Sequence, residues 1–150
     1  MSLRAQIDND IKQAMLARKK EELEALRSIK SMILLAETEK GGSGDISSDA
    51  ESRILMKAAK QRKESAEIFQ KENRNDLAER ELFQLEIINR YLPKQLSPEE
   101  LRAAVESIIR ETGAAGPQDM GKVMGAATKA LAGKADGRQI SELVKQLLSA

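Results

Sequence analysis

An all-α fold, four helices followed by three, is predicted by three observations. Apolar residues recur at three- and four-residue spacing along almost the whole chain, and nowhere do they alternate with period two. Cap and breaker residues punctuate that pattern at intervals suited to ordinary helices. The 150 residues are 41% hydrophobic and 33% charged, with Phe69, Phe83 and Tyr91 as the only aromatics. A chain so rich in Ala, Leu, Glu, Lys, Arg and Gln favours helix.

The elements follow in order. Leu3, Ile7, Ile11, Ala14 and Met15 share one face of a first helix that ends near Lys19-Lys20, where cations suit a helix C-terminus. Glu21 and Glu22 suit the positive end of the second, whose stripe is Leu23, Leu26, Ile29, Met32 or Ile33, and Ala36. Gly41-Gly42-Ser43-Gly44 breaks it, and Ser47, Ser48 and Asp49 are cap candidates for the third. Ile54, Leu55, Ala58, Arg62, Ala66 and Phe69 follow one face of that long helix, with Asn73 as a left-handed cap. A fourth helix starts at Asn75-Asp76 and uses Leu77, Leu82 or Phe83, Leu85, Ile88 and Leu92.

Pro93 stops the fourth helix, because the residue before a proline is pushed out of helical geometry. Ser97-Pro98-Glu99-Glu100 then places a cap, a proline at the first helical position and a glutamate at the third. Gly113 stops this fifth helix, Pro117-Gln118 opens a sixth that ends at Gly133, and Asp136 with Gln139 caps a seventh. The division falls at Pro93: an N-terminal four-helix bundle over 1–93 and a C-terminal three-helix unit over 94–150. Charge splits evenly, with 17 basic and 17 acidic residues in the first and 8 and 7 in the second.

The net charge is +1, so no global field draws in nucleic acid or an anionic membrane. The absence of His and Cys excludes an imidazole base, a thiol nucleophile, a His- or Cys-ligated zinc and a disulfide framework. No metal and no cofactor are expected. No apolar run approaches a membrane span, and the N-terminal segment lacks a secretory apolar core; the expectation is a cytoplasmic protein with no membrane partner.

Gly116 to Lys122 has the glycine–lysine spacing of a phosphate-binding loop. Val123 stands where a Ser or Thr would hold magnesium, no strand precedes the segment, and Asp119 would put negative charge into the cradle. It is therefore read as a helix start. Gly121 and Gly125 lie four apart on the sixth helix, where an interior glycine costs about 1 kcal/mol against alanine. Close packing of a neighbouring helix is the preferred explanation, and close approach of a ligand or RNA backbone is the other.

Residues 50–71 hold six basic and three acidic residues, and Arg53, Lys57 and Lys60 share a face. Arg27 and Lys30 add a basic pair on the second helix. The ordinary reading is a solvated face with helix ion pairs such as Lys60 with Glu64 and Lys63 with Glu67. The functional reading is a surface that tracks phosphates. A weaker basic set comprises Lys122, Lys129, Lys134 and Arg138. With three aromatics, base stacking cannot dominate recognition of RNA, which would proceed by backbone and shape.

These motifs together resemble a known family. Asp49 with Lys60-Gln61-Arg62-Lys63-Glu64-Ser65, Asp76-Leu77-Ala78 before Glu81, and Tyr91-Leu92-Pro93 with Gln95-Leu96-Ser97 look like the YqeY family. So does Asp119-Met120-Gly121-Lys122-Val123-Met124, followed by Gly133-Lys134-Ala135-Asp136-Gly137 and Val144-Lys145. The likeness covers nearly the whole chain. The family is similar to the tail of the GatB subunit of tRNA-dependent amidotransferases, a four-helix bundle joined to a three-helix bundle that helps hold tRNA while other domains do the chemistry. The resemblance implies a non-catalytic accessory that binds tRNA, with Lys60, Arg62, Gly121 and Lys122 as the positions that carry over and translation-related proteins as further partners; Arg27, Lys30, Arg53 and Lys57 join them as the basic helix faces read above from charge. Arg62, on the apolar stripe, has an alternative role as a structural bridge between the two bundles. By association the family also suggests a component of a glutamine-dependent carbon–nitrogen ligase, or a protein-interaction adaptor.

Overall fold

The computed structural model describes residues 2–39 and 46–149. The glycine-rich break at Gly41 to Gly44 lies outside the described residues. Among those described, the fold is all-α, with no strand: α1 (Leu3–Leu16), α2 (Lys20–Glu39), α3 (Ser48–Lys71), α4 (Asn75–Asn89), α5 (Pro98–Thr112), a 3-10 turn (Pro117–Asp119), α6 (Met120–Ala130) and α7 (Gly137–Ser149). The chain forms two compact units, Met1–Leu92 and Pro93–Ala150.

In the first unit α1 packs on α2, α3 lies along α4, and α2 meets both α3 and α4. Ile7, Leu26, Ile29, Ile33, Leu55 and Ile87 are its large, fully buried side chains. Each such burial stabilises the fold by about 1.5–3 kcal/mol. Ser47 caps α3 by accepting a hydrogen bond from the Ala50 amide, 3.1 Å away. The left-handed backbone that ends α3 is at Asn73 (φ 59°), and the Arg74 amide beyond it donates back to the Phe69 carbonyl at 2.8 Å.

Three details of this unit differ from the periodic reading. Helix α1 ends at Leu16, before the lysines, through a left-handed Arg18 (φ 58°) whose following amide, that of Lys19, donates to the Ala14 carbonyl. Met15 is 54% exposed, not buried, because it sits one residue past the Ile7–Ala14 face at the helix end. On α4 Phe83, not Leu82, packs against the core.

Tyr91, just beyond α4, donates its hydroxyl hydrogen bond to Asp10 of α1 and so ties the two ends of the unit's sequence together. Burial, and then the Asp10 carboxylate, push the phenol pKa well above its ordinary value near 10.

In the second unit Val105, Val123 and Val144, one from each helix, are fully buried and centre the core. Helix α5 opens with a complete capping box: the Ser97 hydroxyl accepts from the Glu100 amide, and the Glu100 carboxylate accepts from the Ser97 amide, both at 3.1 Å. The Ser97 amide first, and then the Ser97 hydroxyl, hold the Glu100 carboxyl below the usual carboxylate range. Gly113 ends the helix in the left-handed conformation (φ 68°). The segment ahead of α5 clasps the turn after α6, since the Leu96 amide donates to Lys134 and the Gln95 side chain donates to Gly133. The sixth helix starts later and stops earlier than the spacing suggests: Pro117–Asp119 is a 3-10 turn, and Gly133 is a left-handed turn residue three positions past Ala130. For α7, Asp136 accepts from the Arg138 amide.

Candidate functional site

The segment with phosphate-loop spacing has no phosphate-loop structure. Asp119 accepts a 2.9 Å hydrogen bond from the Ala115 amide, which closes the turn on itself, and Lys122 already lies in α6. The helix-start reading therefore holds. Among the described residues no group of three acidic, His or Cys side chains is placed to hold a metal ion.

The two α6 glycines do not serve close helix packing. A Cβ built on either Gly121 or Gly125 meets nothing within 4 Å. The reason is helical phase. Val123 and Ala127 are fully buried and define the core face of α6. A residue two positions from either is rotated about 200° at 100° per residue, onto the opposite side. Gly121 and Gly125 stand there, exposed, with Lys122, Thr128 and Lys129 also exposed along the helix. The outward face of α6 thus has a backbone stripped of side chains beside two cations. Lys122 forms no ion pair among the described residues.

The basic residues of the first unit separate into two groups. Arg53, Lys57 and Lys60 are exposed along α3, at i, i+4 and i+7. Arg27 is exposed on α2. Lys30 is instead half-buried and pairs with Asp8 of α1. Arg62 reaches Glu81 of α4 through one guanidinium nitrogen, 3.0 and 3.3 Å from the two carboxylate oxygens. Both side chains are largely covered, 29% and 19% exposed. The expected structural alternative for Arg62 is corrected in one respect: it bridges α3 to α4 inside the first unit, not one bundle to the other. The spacing showed Arg62 on the stripe, but no spacing in one helix reveals a partner on another.

The family model described as Yqey-like protein matches residues 4–148. A curated relative from Clavispora lusitaniae, "Altered inheritance of mitochondria protein 41, mitochondrial", is 36% identical over 104 residues, 68% of this chain and 59% of the relative. A protein of the same name from Lachancea thermotolerans is 35% identical over 109 residues, 71% of this chain and 58% of the relative. The match thus spans less than two thirds of either relative. Both are mitochondrial proteins by name, which overturns the expectation of a cytoplasmic location. That expectation rested on the lack of a secretory apolar core, a feature that does not separate cytoplasm from mitochondrion.

Proposed function

This chain belongs to the YqeY family, and from that premise we propose that it is a non-catalytic helical accessory that binds tRNA, or RNA of that shape, through basic surfaces of its two units. The outward face of α6 is the observation that carries the reading. Two exposed glycines lower helix stability relative to alanine, Gly125 by about 1 kcal/mol and Gly121, in the first turn, by less, and they relieve no steric contact in the fold. A ligand backbone brought close to α6 supplies the missing reason, and Lys122 is beside it to meet a phosphate. On the first unit, Arg53, Lys57 and Lys60 offer a row of exposed cations on one face of α3.

Recognition of this kind follows the sugar–phosphate path. Phe83 and Tyr91 pack against the first core, so they are not free to stack on bases. Phosphate contacts carry no direct sequence information, and affinity is expected to be similar for different tRNAs. Membership of a glutamine-dependent amidotransferase complex is compatible with the same surfaces, with tRNA then held for a partner's chemistry.

The test separates binding from folding. Gly125→Ala, inside α6, is expected to stabilise the second unit by about 1 kcal/mol and Gly121→Ala, in the first turn, by about 0.4 kcal/mol, and yet both to weaken tRNA binding. Lys57→Gln, Lys60→Gln and Lys122→Gln together are expected to lower the salt slope of binding by about 0.7 per lysine on a single-strand-like path. Fluorescence anisotropy over a salt series reads both. Alanine variants that gain stability and keep full affinity would remove the role assigned to α6. A wild-type protein that binds no tRNA at low salt would remove the RNA reading and leave a protein-interaction adaptor.

A further inference from the structure

A second surface lies at the corner between α1 and α2, and it has a different chemistry from the candidate RNA faces. Residues 12–20 contain four basic and no acidic residues: Lys12, Arg18, Lys19 and Lys20. In their midst Met15 is 54% and Leu16 71% exposed, the only adjacent pair among the exposed large apolar side chains described. Lys12, Met15 and Leu16 stand at i, i+3 and i+4 and so share a side of α1. The left-handed Arg18 then turns the chain sharply, so that Lys19 and Lys20 follow at the same corner. Over residues 12–22 these four cations outnumber the two acids, the exposed Glu21 and the half-buried Glu22, and Glu22 is held between Lys19 at 3.8 Å and Arg90 at 2.8 Å. It does not neutralise the remaining cations.

We infer that this corner docks the protein on an anionic lipid bilayer surface, with Met15 and Leu16 entering the headgroup–acyl boundary and the surrounding cations meeting lipid phosphates or carboxylates. The shape and the charge both point to lipid. An apolar helix partner requires a groove or a stripe continued over several turns. Here the outer side of α1 turns polar one helical turn before Lys12, at Asp8 and Asn9. What remains is a convex tip of two flexible apolar side chains ringed by cations, the arrangement that suits interfacial insertion. RNA phosphates, by contrast, gain nothing from an exposed Leu16. No described helix is long and apolar enough to cross a membrane, and surface docking needs none. The inference stands independently of the tRNA reading, since none of these residues belongs to the α3 or α6 faces.

The chain has no tryptophan, so Leu16→Trp creates a single reporter at the tip. Its emission is expected to shift to the blue on adding vesicles of phosphatidylcholine with about one third phosphatidylserine, and to stay unchanged with phosphatidylcholine alone. Ile68→Trp, at an exposed site in the last turn of α3, is the control that should not shift. In vesicle flotation, Lys12→Gln, Lys19→Gln and Lys20→Gln should each weaken binding roughly fivefold. Met15→Gln with Leu16→Gln should weaken it at least tenfold, with an unchanged helical circular dichroism spectrum. No blue shift on anionic vesicles, or equal binding by the Met15, Leu16 double variant, overturns the inference. A shift produced by tRNA in the absence of vesicles also overturns it and makes the corner a nucleic-acid contact.

Discussion

The two units hold themselves together with charge in different ways. In the first, most ion pairs among the described residues run between helices, Arg4 with Glu37, Lys30 with Asp8, Arg62 with Glu81, Arg80 with Glu24 and Arg90 with Glu22, beside the local pairs Lys19 with Glu22 and Arg74 with Asp76. In the second, the ion pairs among the described residues are Arg102 with Glu106 and Arg138 with Glu142, both one turn apart on a single helix. The tertiary fold of the second unit therefore rests on its apolar core, its caps and the clasp of Gln95 and Leu96 on the turn after α6. In the first unit part of the cationic surface has a structural duty, and a basic residue there cannot be counted as a binding residue until its partner is known. Arg62 and Lys30 illustrate the point, whereas Arg53 and Lys57 remain exposed cations.

The largest expected effect is on a cross-helix tie. Arg62→Met leaves the largely covered Glu81 without its guanidinium partner, and the first unit should lose about 2 kcal/mol. Hydrogen exchange read separately for the two units, in urea so that salt does not screen the pairs, should show the loss confined to α1–α4. An equal loss in α5–α7 would mean that the units do not differ in this way.

The cap of the second unit comes next. Ser97→Ala should cost about 1 kcal/mol at the start of α5, with no loss in the first unit. The same box has a pH signature. Because Glu100 is held below its ordinary carboxylate value when folded, its stabilising effect is present above the usual carboxylate range and lost as pH falls through the lowered value. A Glu100→Gln variant, which keeps an acceptor for the Ser97 amide but removes the titrating group, should abolish that acid-side dependence in the exchange rates of the first turn of α5. A dependence that persists unchanged in the variant would trace it to another group.

How far these features are legible in the sequence depends on how local they are. The box at Ser97 to Glu100 lies within four residues, and the left-handed Asn73 sits at the end of a long periodic run; both are visible without a structure. Arg18 adopts the same left-handed backbone but carries no residue signal for it, because a bulky cation followed by two lysines reads as an ordinary helix end. Spacing alone favours packing for the glycines of α6, but once Val123 and Ala127 fix the core face, Gly121 and Gly125 fall on the outward side. The cross-helix partners of Arg62 and Lys30 depend on how helices are placed, which no single-helix period encodes. The mitochondrial names of the relatives had no counterpart in any motif read from the chain.

The smallest effect probes the local pairs of the second unit. Arg102 and Glu106 meet at 3.0 Å and Arg138 and Glu142 at 3.3 Å, all four side chains being well exposed. Exposed pairs one turn apart are worth about 0.3–0.5 kcal/mol, since water screens them and two long side chains must be ordered to form them. Arg102→Gln and Arg138→Gln keep helix propensity nearly constant and remove only the charge. Together they should cost the second unit less than about 1 kcal/mol, and the two losses should add, because the pairs share no partner. Raising the salt should shrink the difference between variant and wild type further. Urea titrations at low and high salt measure it. A loss of about 2 kcal/mol or more, comparable with that expected for Arg62→Met, would show that local charge supports the second unit as strongly as cross-helix charge supports the first.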